Sequence, residues 1–172
     1  MTPEKKAERQ RSIVAAHIAA ENAHDWNAAG EGFAPRGSAF RDVVLLATPF
    51  KGMGGLRTFY ETIGKALPDL HIEVKSEQDL PGCTVCEGVL TGTHLGEYLG
   101  IRPKGNRIRM ELTTYYFFDE TTEKLVAQRI YFDQGSLLRQ MQASNGPSKK
   151  AKKKIKIRAR RRAGTVRSGE GP

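Results

Sequence analysis

The chain reads as an α+β domain in which helices come first and a run of antiparallel strands follows as a curved sheet packed beneath them. Three observations predict this. Apolar residues recur at helical spacing up to Leu67, Pro68 stops that pattern, and from Asp69 onward the apolar period falls to two. At 172 residues the chain is long enough for one domain with a proper core and too short to expect two.

Thr2-Pro3-Glu4 has the form of a helix start: threonine as cap, proline at the first helical position, an acid in the first turn. That helix runs through Ile13, Val14, His17 and Ile18 to about His24, and a short second helix covers Asn27 to Phe33. Ser38 to Ala47 reads as a strand. Lys51 to Gly55 is a glycine-rich loop into the clearest helix, whose apolar positions are Leu56, Phe59, Tyr60, Ile63 and Leu67. No Walker or dinucleotide fingerprint surrounds those glycines, so a turn before a helix accounts for them.

After Pro68 come LHIEVKSE, a Pro81-Gly82 turn, TVCEGVLTGTH, and NRIRMELTTYYFF, each a strand by its alternation. A turn at Asp119 to Glu123 leads into KLVAQRIYFD, and a last helix closes at about Gln142. The long strand has Ile108, Met110, Leu112, Thr114, Tyr116 and Phe118 on one face, and Arg109, Glu111, Thr113, Tyr115 and Phe117 on the other. A sheet that is semi-apolar on both faces has both covered. Helices cover one, and a second copy of the chain is the economical cover for the other, which predicts a homodimer.

Hydrophobic residues make up 38% of the chain, with no apolar stretch of bilayer length and no secretory h-region in MTPEKKAERQR, which places the protein in the cytoplasm. The net charge of +9 is uneven. Residues 149–172 hold 11 of the 28 Lys and Arg but one of the 19 acids, which leaves 17 basic against 18 acidic side chains in the body. The domain is therefore set at 1–144, with 145–172 a basic tail that has almost nothing to bury and is disordered alone. Three readings of the tail compete: an arm for nucleic acid or another acidic surface, a nuclear localisation signal, or a non-functional extension by readthrough or frameshift.

Cys83 and Cys86 form a CxxC, but within a strand positions three apart face opposite sides about 10 Å apart. A disulfide needs Cα atoms within about 7 Å. Zinc needs two further ligands at suitable spacing, and the sequence offers none. Both cysteines are read as structural, and no metal is expected.

The leading clue to chemistry is Asp133, a carboxylate at the end of a largely apolar strand. Loss of water raises a carboxyl pKa toward the range of a general acid or base. The same residue can instead cap the final helix through its side chain.

The order of elements and four blocks of sequence resemble the SnoaL-like polyketide cyclases, or ester cyclases, of the nuclear transport factor two-like superfamily. The blocks are ENAHD at 21–25, GLRTFYETIGKALPDLHIEV at 55–74, GTHLGEYLGIRPKGNRI at 92–108 and YFDQGSLLRQM at 131–141. The resemblance implies a cone-shaped half-barrel with a deep pocket between helices and sheet. It also implies cofactor-independent aldol ring closure of a polyketide ester, a small apolar carbonyl-containing substrate, with Asp133 as general acid/base. Two departures are Pro103-Lys104-Gly105, where the family has Pro-Thr-Gly, and Gln140-Met141-Gln142, where it has Gln-Leu-Gly. The first changes the pocket rim.

In such chemistry a base removes a proton α to a carbonyl and the enolate attacks a second carbonyl, so the enolate needs hydrogen-bond donors. His94, Tyr116 and Tyr131 are donors of the right type. His94 is expected beside Asp133 in the catalytic set, and Tyr116, Tyr131, Trp26 and Phe59 against substrate. Each also has a plain structural role: His94 in a turn, the tyrosines in sheet packing, Trp26 closing the core.

Three other functions compete. An epoxide hydrolase on this fold needs an Asp-Arg-Asp set, and RIYFD at 129–133 is similar to that group's ending, with Ile130 where its acid belongs. A non-catalytic module would hold a small apolar ligand in the same pocket. A tail-driven tether would bind nucleic acid in a strongly salt-dependent way.

Overall fold

The computed structural model describes residues 2–34, 40–43, 50–120 and 124–144. The basic tail, and the ends of the strand expected at Ser38 to Ala47, lie outside the described residues. Helix α1 spans Pro3–Asn22 and begins as its sequence dictates, with the Thr2 hydroxyl accepting from Lys5 N at 3.4 Å and proline at the first position. It ends two residues before the expected point because His24 adopts a left-handed φ of 57°. Helix α2, Trp26–Glu31, is capped by the Asp25 carboxylate, which accepts from Ala28 N at 3.0 Å.

Strands β1, Phe40–Val43, and β2, Phe50–Lys51, lead into helix α3, Gly52–Ala66. The glycines expected in a loop thus form the first turn of α3. A Cβ on Gly55 would stand 2.9 Å from the Phe50 carbonyl carbon, so glycine there lets the helix turn straight back over β2.

Strands β3, His71–Leu80, β4, Cys83–Thr93, β5, Arg107–Phe118, and β6, Leu125–Phe132, form an antiparallel meander. Helix α4, Gln134–Gln142, closes the described chain. The sheet order is β2-β1-β6-β5-β4-β3, so it has six strands, and β1 runs parallel to β6 with Phe40 opposite Ala127. That one parallel pairing departs from the all-antiparallel expectation. It arises because α3 carries the chain from one end of the sheet to β3 at the other.

Side-chain bridges fix the helices onto strand segments that lack a neighbour. Asn22 donates to the Ile72 carbonyl at 2.9 Å and accepts from Ile72 N at 2.7 Å, acting as a strand partner on the free edge of β3. Gln140 does the same for β5, accepting from Arg109 N at 2.8 Å and donating to its carbonyl at 2.9 Å, where β6 no longer pairs. Asn106 donates to the carbonyls of Gln140, Met141 and Ala143 and so satisfies the C-terminus of α4.

The alternation predicted for β5 holds residue by residue, with Ile108, Met110, Leu112, Thr114, Tyr116 and Phe118 all buried. Two core clusters result. One gathers Val14, Ile18, Phe33, Leu56, Tyr60 and Tyr116, the other Leu67, Leu70, Leu90, Met110, Leu112 and Leu137. Cys83 and Cys86 are free and buried, and burial pushes the Cys86 thiol up to about 12, which makes it inert.

On the opposite face of the sheet Tyr115 stacks on Phe117 with centroids 6.3 Å apart and meets Tyr131 edge-on at 5.6 Å, and the Arg129 guanidinium lies over the Phe117 ring.

Candidate functional site

The two core clusters do not fill the space between them, and an interior cavity of about 60 Å³ lies at their seam. The space is more than the roughly 10–15 Å³ that a single water needs, and its apolar wall suits a small organic ligand. The helices contribute Glu21, Trp26, Phe59, Tyr60, Ile63 and Leu137, the turn after α3 contributes Leu67, and the sheet contributes Ile72, Leu90, Met110, Leu112, Thr114, Gln128, Ile130 and Phe132. Leu70 and Tyr98 complete the wall, and burial raises the Tyr98 phenol above its ordinary value.

The lining is polarised. Its carbon-rich end belongs to the second cluster. At the other end the Tyr60 hydroxyl donates to Glu21 Oε1 at 2.9 Å, and Trp26 stacks on the Tyr60 ring at 5.0 Å and 14°. Gln128 stands directly across the sheet from Tyr116, whose ring meets His17 edge-on at 5.7 Å. Gly64 permits the indole to cross α3, since a Cβ there would come 3.0 Å from Trp26 Cζ2.

Of the six residues singled out in the sequence, Trp26 and Phe59 line this cavity. The other four do not. Asp133 sits one residue past the inward-facing Phe132, and its carboxylate accepts from Ser136 N at 3.0 Å as the N-cap of α4. Its side chain is 66% exposed and 3.6 Å from Arg139. Of the two roles the sequence left open for Asp133, the hydrogen bond it makes is that of the cap, and it lies off the cavity wall.

His94 is wholly buried, but against the C-terminus of α3 and outside the cavity wall, in a loop held by His94 N on the Asn106 carbonyl and Gly105 N on the His94 carbonyl. Neither ring nitrogen has a hydrogen-bond partner among the described residues. Gly96 lets that loop press onto α3, since a Cβ would fall 2.1 Å from the Lys65 carbonyl oxygen. Tyr116 is buried in the first core cluster, and Tyr131 faces outward on the aromatic side of the sheet. Strand parity explains Tyr131: Gln128, Ile130 and Phe132 point in, so Tyr131 points out.

Sequence reading missed Glu21, Tyr60, Thr114 and Gln128 as pocket residues. Glu21 carried a signal: His17 and Glu21 stand four apart on the buried face of α1, in line with Val14 and Ile18. A titratable pair on an apolar stripe is a poor core choice unless it has partners. No group of three or more His, Cys, Asp or Glu among the described residues is arranged to hold a metal.

Helices laid over one face of a curved sheet, with an apolar cavity between the layers, define a nuclear transport factor two-like α+β half-barrel. The chain belongs to the SnoaL-like polyketide cyclase family, whose model matches residues 11–141. Among solved structures it is similar to AclR from Streptomyces galilaeus, provisionally assigned as a hydroxylase, at 22% identity and TM-score 0.67, covering 78% of this chain and 96% of that one. A SnoaL-like protein from Jannaschia sp. CCS1, provisionally assigned as a polyketide cyclase, aligns at 16% identity and TM-score 0.70 over 84% and 97% of the two chains. IdmH from Streptomyces antibioticus, also provisionally assigned as a polyketide cyclase, aligns at 20% and 0.64 over 78% and 99%. No curated protein matches the chain. At these identities the structures establish the fold.

Proposed function

We propose that the chain is a cofactor-independent cyclase or isomerase that moves a proton α to a carbonyl in a small apolar substrate held in the interior cavity. The supporting observation is the lining itself, apolar over most of its extent with the Tyr60–Glu21 hydrogen bond set into its wall. A carbonyl compound seats with its oxygen toward Tyr60, Thr114 and Gln128 and its carbon skeleton among Leu67, Leu90, Met110 and Leu112. Exclusion of water there favours enolate chemistry, because competing hydration is removed and each hydrogen bond is stronger. Ile130 occupies the wall where a hydrolase of this fold needs its acid, which disfavours water addition to epoxides.

Trp26 is the sole tryptophan and lines the cavity, so its fluorescence reports entry. The test titrates 2-butanone, a ketone of suitable size, and follows deuterium uptake at its α-carbons in D₂O. Saturable quenching with catalysed exchange supports the proposal. Quenching without exchange favours the non-catalytic binding module, and no saturable quenching removes the cavity as a binding site.

The aromatic outer face of the sheet is proposed to pack against a second copy of the chain. The tail's proposed role is contact with acidic surfaces, detectable as binding that collapses with salt and disappears on truncation after Ser148.

A further inference from the structure

The proposed proton chemistry needs a base inside the cavity, and with Asp133 outside it none of the expected residues supplies one. Among the described residues that line the cavity, Glu21 is the carboxylate. Its side chain is 3% exposed, and the neighbouring His17 side chain is fully buried.

Short contacts join Glu21, His17 and Tyr60. His17 Nδ1 lies 3.0 Å from the Ala29 carbonyl, which can only accept, so Nδ1 carries a hydrogen. The Tyr60 hydroxyl has one proton and directs it to Glu21 Oε1 at 2.9 Å. His17 Nε2 then faces Glu21 Oε1 at 3.4 Å and Tyr60 Oη at 3.4 Å. Two groups able to carry a proton thus stand side by side out of water, and one of them is on the cavity wall.

We propose that Glu21 is the general acid/base of the cavity, with Tyr60 as its hydrogen-bond partner facing the ligand and His17 as the positioning residue behind it. This rests on the α-proton reading above. The Glu21 carboxylate takes the α-hydrogen: the substrate C–H bond breaks, the new O–H bond forms on Glu21, and the electron pair moves onto the carbonyl as enolate. Hydrogen bonds from donors on the cavity wall, whose lining includes Gln128 and Thr114, stabilise the oxygen. The enolate carbon then bonds to a second carbonyl carbon, and the proton on Glu21 passes to the new alkoxide. Atoms and charge balance within substrate and protein.

The experiment compares wild type with Glu21→Gln and Asp133→Asn for 2-butanone binding by Trp26 fluorescence and for α-deuterium exchange. The expected result is Glu21→Gln binding within about two-fold of wild type and exchanging at least ~10²-fold more slowly, the scale of lost general-base catalysis, with Asp133→Asn unchanged. Wild-type exchange in Glu21→Gln overturns the assignment and leaves the α-proton reading standing. If Glu21→Gln does not fold, Glu21→Asp replaces it. That variant keeps the charge and withdraws the carboxylate by one methylene, so an undiminished rate again overturns the assignment. If wild type binds but exchanges nothing, the α-proton reading fails by itself. The Glu21 placement is then judged on the infrared carbonyl band of bound 2-butanone, which moves in the Glu21→Gln variant if Glu21 meets the ligand and stays fixed if it does not.

Discussion

Substituting Asp133 separates its two chemical possibilities because asparagine and alanine affect them differently. The carboxylate caps α4 through one hydrogen bond, from Ser136 N at 3.0 Å. Asparagine caps as well as aspartate, whereas alanine leaves the amide without its acceptor and costs about 1 kcal/mol. The pair with Arg139, both side chains more than half exposed at 3.6 Å, adds almost nothing. For a chain of this size about 1 kcal/mol corresponds to roughly 3 °C in Tm. Expected outcomes are therefore a Tm near wild type for Asp133→Asn and a drop of about 3 °C for Asp133→Ala, with ketone exchange retained in both. Thermal denaturation and the deuterium-exchange assay on the same samples check this. An Asp133→Asn protein with unchanged Tm and a ~10²-fold loss of exchange would refute the reasoning, since a cap explains no such loss and a general base does.

Three further outcomes follow from the structure. His94→Leu keeps the volume of a buried imidazole and removes two ring nitrogens without a partner among the described residues, so its Tm should equal or exceed that of wild type; a loss above about 2 kcal/mol in chemical denaturation would show that the ring is bonded after all. Asp69 accepts from the Thr93 hydroxyl at 2.7 Å and lies 3.1 Å from Arg107, and chiefly the Thr93 bond holds its carboxyl below the usual value. A carboxyl depressed in the folded state stabilises above its unfolded pKa and loses that contribution as pH falls through the folded one, so Asp69→Asn should flatten the decline of the urea midpoint below about pH 4; an unchanged acid limb would count against it. If a second copy covers the outer aromatic face, Tyr115→Glu with Tyr131→Glu should convert a dimer to a monomer in sedimentation, and a monomeric wild type would end that proposal.

What was legible in the sequence tracks how local the governing interaction is. The cap at Thr2, the stop at Pro68 and the two-residue alternation of β5 depend on neighbours a few positions away, and each appears in the fold as read. The ENAHD block was legible as a motif, but its work was not. Asn22 serves the edge of β3 fifty residues on, His24 turns left-handed and reaches the Leu70 carbonyl at 2.8 Å, and Asp25 caps α2. Glu21 acquires its meaning only when α3 brings Tyr60 to it across 39 residues of chain. Asp133 shows the converse: the alternation that placed Ile130 inward also sets the residue after Phe132 apart from the inner face, and the capping geometry of Asp133-Gln-Gly-Ser136 is a local signal. Following the parity of β6 one residue further moves the search for an acid from the end of the sheet to the buried face of α1, where a histidine and a glutamate one turn apart stand beside Val14 and Ile18.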